Sequence, residues 1–207
     1  VVGLGVTGGL DTRLIIACLN PEPGKLPCYT WGGTYRDIFD VRLAPKVAAA
    51  CGQEHTVFRL DDKQLIREYP YKVEKATYIS DGLESIDKTD ALHFNRMARD
   101  IAPVRMTGKY GSQVIKGIFG FAERPPYMHL IHNDFKQYLE MANRTAVNLH
   151  KTHALTFLLQ GAIPWWWNAF VTLESSQVEI RSPFLDNDFM KVLYQAPPMD
   201  PRFGTQF

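Results

Sequence analysis

The chain has 207 residues, 45% of them hydrophobic, with 23 Lys and Arg against 22 Asp and Glu. That is enough apolar material for a sizeable core in one domain, and the near-zero net charge excludes the broad basic field of a nucleic-acid or membrane-surface protein. Cys18, Cys28 and Cys51 are odd in number and lack C-x-x-C spacing, so they read as buried free thiols of a reducing compartment, here the cytoplasm.

In chain order, the first half alternates strand and helix, which predicts an α/β fold with a parallel sheet and helices on both faces. Strands are expected at 2–6, 28–31, 56–60 and 104–107, with helices at 12–19, at 41–51 and in a long segment ending near Ile101. Gly52 is placed to close the second helix, and Pro45 either starts that helix or kinks it. From 133 to 160 apolar residues recur at helical spacing, among them Phe135, Tyr138, Leu139 and Ala142, which predicts one or two further long helices in the C-terminal half. Asp186 is placed to cap a last helix running through Tyr194, before Pro197-Pro198. The longest apolar region, 155–170, is broken by Gln160, Gly161 and Pro164 and is too short to span a bilayer.

The most informative stretch is Thr7-Gly8-Gly9-Leu10-Asp11-Thr12, directly after Val1-Val2-Gly3-Leu4-Gly5-Val6. A strand entering a Gly-Gly turn and then a helix forms an anion site. The glycines let backbone approach the ligand, and the first helical amides point outward at the positive end of the dipole. Thr7 and Thr12 add hydroxyls, and Asp11 adds one carboxylate, a donor set that suits Mg²⁺ together with phosphate oxygens. A plain βα turn without ligand uses the same residue types. The overlapping Gly3-x-Gly5-x-x-Gly8 spells a dinucleotide fingerprint, but only Val1 and Val2 precede it and the second strand ends in Gly32-Gly33 without the ribose-binding acid. A P-loop is excluded because Gly9 is followed by Leu10 rather than Lys.

Thr7-Gly8-Gly9-Leu10-Asp11-Thr12 resembles the S-G-G-x-D-S pyrophosphate loop of the N-type ATP pyrophosphatases, an adenine nucleotide alpha hydrolase-like fold. Val178-Glu179-Ile180-Arg181-Ser182-Pro183-Phe184-Leu185-Asp186 resembles the V-E-x-R-x-P-F-L-D of one branch, the synthetase domain of the asparagine synthase family. Thr30-Trp31-Gly32-Gly33, Asp40-Val41 and Val47-Ala48 lie between them in the order expected of that family. The resemblance implies an amide-forming, glutamine-hydrolysing type of ligase: ATP adenylates a carboxylate, pyrophosphate leaves, and ammonia or an amine attacks the acyl-adenylate. It implies ATP and Mg²⁺ as cofactors, a small-molecule or peptide carboxylate as substrate, and an ammonia source in a glutaminase domain or partner. It implies no nucleic acid and no membrane, and it leaves room for a homo-oligomer. Lacking an initiator Met, the sequence reads as a synthetase domain truncated at both ends, without the N-terminal glutaminase domain of relatives.

The same resemblance assigns roles. Thr7, Gly8, Gly9 and Thr12 hold pyrophosphate, Asp11 holds Mg²⁺, Val6 and Trp31 flank adenine, and Thr107-Gly108 line the nucleotide; Trp31, a large aromatic, reads equally as core. The second loop, Thr107-Gly108-Lys109-Tyr110-Gly111-Ser112-Gln113, departs from the family's S-G-E-G-x-D-E: Lys109, Ser112 and Gln113 stand where relatives have acids, and Val171 where relatives place a phosphate-binding lysine. Asp11 and Lys109 are therefore the candidate catalytic residues, Lys109 as a phosphate contact, since an ammonium cannot act as a general base. A degenerate nucleotide-binding or regulatory module of the same fold is the rival reading. Asp81 and Glu84 fall near the substrate site of relatives, although helix-start acids favoured by the dipole read the same way.

Three further groups have ordinary readings. His129/His132 and His150/His153 lack the third and fourth ligands of a zinc site and are expected to be solvated or capping. Trp165-Trp166-Trp167 is expected in a core or an interface. Glu179 and Arg181, at i and i+2, are expected to share one face and pair as a structural clamp beneath the site.

Overall fold

The structure, a computed structural model, describes residues 1–33, 37–59, 61–116 and 128–196. Its centre is a five-stranded, all-parallel sheet of order β3-β2-β1-β4-β5, formed by β1 Val2–Gly5, β2 Cys28–Gly32, β3 His55–Arg59, β4 Val104–Met106 and β5 Glu179–Arg181. Successive strands step outward from β1 to β3, and the chain then crosses back to place β4 on the other side of β1. Right-handed crossovers make that reversal put helices on both faces. The reversal makes the carboxyl ends of β1 and β4 a topological switch point, the place where sheets of this kind bind ligands.

The connecting helices follow from their apolar periods. Helix α1, Leu10–Leu19, buries Thr12, Ile15 and Ile16, and α2, Phe39–Ala50, buries Val41, Ala44 and Ala48. Pro45 lies inside α2, which starts six residues before it. The α2 stop is the expected one. Gly52 takes φ +68°, its N–H donates to Ala49 O at 3.0 Å, and the Gln53 N–H donates to Ala48 O at 2.9 Å, a Schellman closure.

The long segment before Ile101 is two helices, α3 Asp62–Ser80 and α4 Asp90–Ile101. Asp81 ends α3 in the left-handed conformation and Gly82 follows with φ +71°, so the Asp-Gly pair is the break. Between the sheet and α4 lies a cluster of Tyr29, Phe58, Phe94 and Ala98, with Trp31, Met97 and Ile101 against it. A second cluster joins Ala76, Leu92 and Leu173.

Helix α5 covers Gly111–Lys116, α6 Asn133–His150 and α7 Ala154–Phe157, which runs into a π-helical stretch over Leu158–Trp167. Helix α8 is Asn168–Ser175 and α9 is Asn187–Gln195. Asp186 caps α9, accepting from the N–H of Asp188 at 2.9 Å and of Phe189 at 3.1 Å. The chain divides into two compact units, Val1–Gly111 with Ala169–Phe189, and Ser112–Asn168 with Met190–Phe207. Among the described residues no helix is long and apolar enough to cross a membrane. Leu60 and Pro197-Pro198, expected to end a strand and a helix, lie outside the described residues.

Two expectations are corrected. Cys18 is exposed on α1 and Cys51 is partly exposed, so only Cys28 is a buried thiol, its pKa pushed up to about 11 by burial and by the nearby Cys51. Glu179 and Arg181 do pair, at 2.7 Å, but both side chains are more than half exposed and β5 is at the sheet edge. Exposed pairs contribute little, so this is no clamp beneath the site.

Candidate active site

Two loops meet at the carboxyl ends of β1 and β4. The first, residues 7–12, is closed by its own hydroxyls. The Thr7 N–H donates to Thr12 Oγ1 at 3.1 Å, the two threonine hydroxyls lie 3.2 Å apart, and the Gly9 N–H donates to Thr7 Oγ1 at 3.1 Å. The Gly8 N–H donates to Asp40 Oδ1 at 2.7 Å, so this amide already carries an anionic oxygen. A Cβ on Gly8 would lie 2.4 Å from the Phe39 ring and 3.0 Å from that carboxylate, so only glycine fits this approach. Gly9 precedes α1 in an extended conformation, and no side chain caps the helix. Its first turn therefore faces the loop with amides that an anion can take.

Asp11 is half-buried in that first turn. A Cβ built on Gly111 would lie 2.9 Å from Asp11 Oδ1, and one on Gly108 would lie 3.0 Å from Asp11 Cβ and 2.9 Å from Thr12 Cγ2. Thr107-Gly108 and the start of α1 are thus in direct contact, which joins the two expected nucleotide loops at one place. Val6 is fully buried beneath them. One carboxylate beside phosphate oxygens is a donor set magnesium accepts, so Asp11 could hold that ion only together with a phosphate; among the described residues no group of three or more metal-ligating side chains exists, here or elsewhere.

The second loop is dominated by a feature that no local motif announces. Glu174 of α8, 1% exposed, accepts from Arg105 Nη1 at 3.0 Å through one oxygen and pairs with Lys109 Nζ through the other. Arg105 Nη1 also donates to Asn95 Oδ1 at 2.7 Å, and its guanidinium lies 4.5 Å from the Trp31 ring centre. The Lys109 ammonium sits 3.8 Å from the centre of the Phe170 ring. Burial lowers the Lys109 pKa to about 8 against the opposing pull of Glu174, and the Arg105 charge adds to the lowering. The cation expected at phosphate is therefore bound to a buried carboxylate, and a phosphate contact has to compete with that pair. Arg105, Asn95 and Glu174 were missed by motif reading. The available signal was a charged residue inside each of two apolar runs, Val104-Arg105-Met106 and Leu173-Glu174.

The remaining candidates separate. Trp31 is part of the core: it stacks on Phe94 with centroids 5.7 Å apart and takes the Arg105 guanidinium as well. Glu84 is near enough for its charge to act on Lys109, and its Oε1 accepts from the Ser85 N–H at 2.9 Å. Asp81 is exposed at the end of α3, a C-cap rather than a helix-start acid. His132 and His153 are N-caps, accepting through Nδ1 from Asp134 N–H at 3.4 Å and Leu155 N–H at 3.2 Å. Trp165 is 46% exposed within the π-helical stretch.

No protein-family model matches the chain, and no curated protein matches it. Among solved structures it aligns with the crystal structure of a predicted subunit of tRNA methyltransferase from Methanocaldococcus jannaschii DSM, at 13% identity over 94% of this chain and 74% of that one, with a TM-score of 0.33. A likeness that low bears on neither family nor activity. The resemblance to the asparagine synthase family rests on the sequence motifs alone.

Proposed function

We propose that this chain is a nucleotide-binding domain of the ATP-pyrophosphatase kind and that it adenylates a carboxylate. The observation that carries the reading is the 7–12 loop itself: a Gly8 amide, hemmed in so that no Cβ fits, donates to an anionic oxygen at the switch point of a parallel sheet. In this reading the Gly8 and Gly9 amides and the Thr7 and Thr12 hydroxyls hold the pyrophosphate end of ATP, with Thr107 and Gly108 beside it. Asp11 would hold Mg²⁺, which would neutralise phosphate charge. A substrate carboxylate oxygen attacks the α-phosphorus, the bond to pyrophosphate breaks, and ammonia or an amine then displaces AMP from the acyl-adenylate to leave an amide. Glu84, whose charge reaches Lys109, is the acid this reading assigns to the substrate.

A second reading, a nucleotide-binding module without turnover, is favoured by the Lys109–Glu174 pair, because it turns the charged group of the second loop inward. Isotope exchange between labelled pyrophosphate and ATP, across a panel of amino acids, separates the two. Carboxylate-dependent exchange with AMP and pyrophosphate as products is expected of the ligase. Substrate-dependent ADP contradicts it, and ATP binding without any exchange supports the module.

A further inference from the structure

Away from the 7–12 loop, α3, α4 and Gln177 line a half-open cavity of about 310 Å³ whose walls include Lys72, Lys75, His93, Arg96 and Glu68. Lys72 is 5% exposed, and its ammonium is fully covered yet makes no hydrogen bond among the described residues. Its ion-pair neighbour is Glu68, with Oε2 at 3.3 Å, and the other Glu68 oxygen accepts from Gln64 Nε2 at 2.9 Å. Lys75 and Arg96 form no ion pair among the described residues; Lys75 Nζ stands 5.8 Å from the Tyr71 ring centre. Asp90, partly buried, is the other acid whose charge reaches this group. Three fixed cations thus face two acids, with His93 between them. Burial lowers the His93 pKa first and Lys72 next, with Arg96 adding to the effect and Glu68 and Asp90 opposing it.

A buried ammonium with unused donors demands an acceptor. The groups around this cavity offer ammonium, guanidinium, imidazole and amide donors, and an oxyanion, which only accepts, is their complement. We propose that the cavity between α3 and α4 binds a small molecule bearing a phosphate or carboxylate oxyanion, with Lys72 as its buried contact and Arg96 and Lys75 as its outer ones. The site stands apart from the 7–12 loop and holds whether or not ATP binds there.

The test uses the His93 imidazole as a local reporter in the full chain. Its ¹H–¹⁵N resonances, assigned with His93→Gln, are followed during titration with inorganic phosphate and, separately, citrate, against chloride at matched ionic strength. Saturable shifts with either oxyanion are expected, together with a rise in the His93 titration midpoint, because the added negative charge offsets Lys72 and Arg96. A response to phosphate alone identifies a phosphate ligand, and a response to citrate alone identifies a carboxylate. Arg96→Gln, a surface change that leaves the fold intact, should weaken the response several-fold, and Lys72→Met should weaken it at least ten-fold. Shifts that follow ionic strength only, or unchanged affinity in Arg96→Gln, overturn the proposal even if Lys72→Met fails to fold.

Discussion

The two loops at the carboxyl ends of β1 and β4 touch, yet they handle charge in opposite ways. The first is built largely from backbone: the Gly8 amide donates to the Asp40 carboxylate, and the Gly9 amide and two threonine hydroxyls close the turn that enters α1. The second carries a lysine, but that charge is bound to Glu174, which also holds Arg105. The first loop needs glycine at its closest approach but no charged side chain of its own, because its donors are amides and hydroxyls. The second loop offers a charged side chain, and here that charge is paired in the interior.

The largest expected effect is on that interior network. Glu174→Ala leaves Arg105 and Lys109 without their shared carboxylate, and removing one partner of a buried ion network costs about 3–5 kcal/mol. Chemical denaturation should show a loss of that size. A loss typical of a surface pair would mean that water, not Glu174, solvates those cations, and the contrast between the loops would disappear.

Asp40 is the next largest. Its carboxylate occupies the Gly8 amide, so Asp40→Ala should tighten pyrophosphate binding about ten-fold, or about 1.4 kcal/mol. Equilibrium titration with pyrophosphate reads this directly. Weaker binding in the variant would mean that Asp40 shapes the loop rather than competing with its ligand.

The smallest effect sharpens the picture of the interior beside Arg105. The Tyr29 hydroxyl is buried with no hydrogen-bond partner among the described residues, and burial pushes its pKa up to about 12, with Arg105 opposing and Glu174 adding to the rise. Tyr29→Phe should stabilise the protein by about 1 kcal/mol, since an unsatisfied buried donor is removed. The pH dependence has a definite sign. The ordinary value is 10.0, so stability from the neutral phenol is complete below pH 10 and is lost as pH rises from 10 toward 12. Alkaline melting curves should therefore fall less steeply in that window for the variant than for the wild type. Parallel curves would show that the phenol is hydrated in the folded protein.

Much of the fold was legible because its signals are local. The Gly-Gly turn with Asp11, the Gly52 closure and the Asp186 cap are each written within a few consecutive residues. The alternation of apolar strand and helix fixed four of the strands to within a residue or two. The break between α3 and α4 was equally local, in Asp81-Gly82, but the apolar period on either side reads as continuous. Strand β5 escaped because three residues at a sheet edge, two of them charged, carry no apolar alternation. The ion network was out of reach for a different reason. Arg105 and Glu174 are 69 residues apart in sequence, and only the packing of α8 against β4 and α4 brings them together. The role of Lys109 depends on that packing, so the motif placed the residue correctly in the loop and could not say which way its charge would be used.

Calorimetric titration of Mg²⁺-ATP into wild type and Asp11→Ala, with far-ultraviolet circular dichroism as the check on folding, bears most directly on the nucleotide site. Saturable binding by wild type, weakened about ten-fold or more in the variant at unchanged dichroism, is the expected result, on a scale of about 1.4 kcal/mol per decade. Equal affinity in the two proteins, or no binding by wild type, would contradict a nucleotide site at the 7–12 loop.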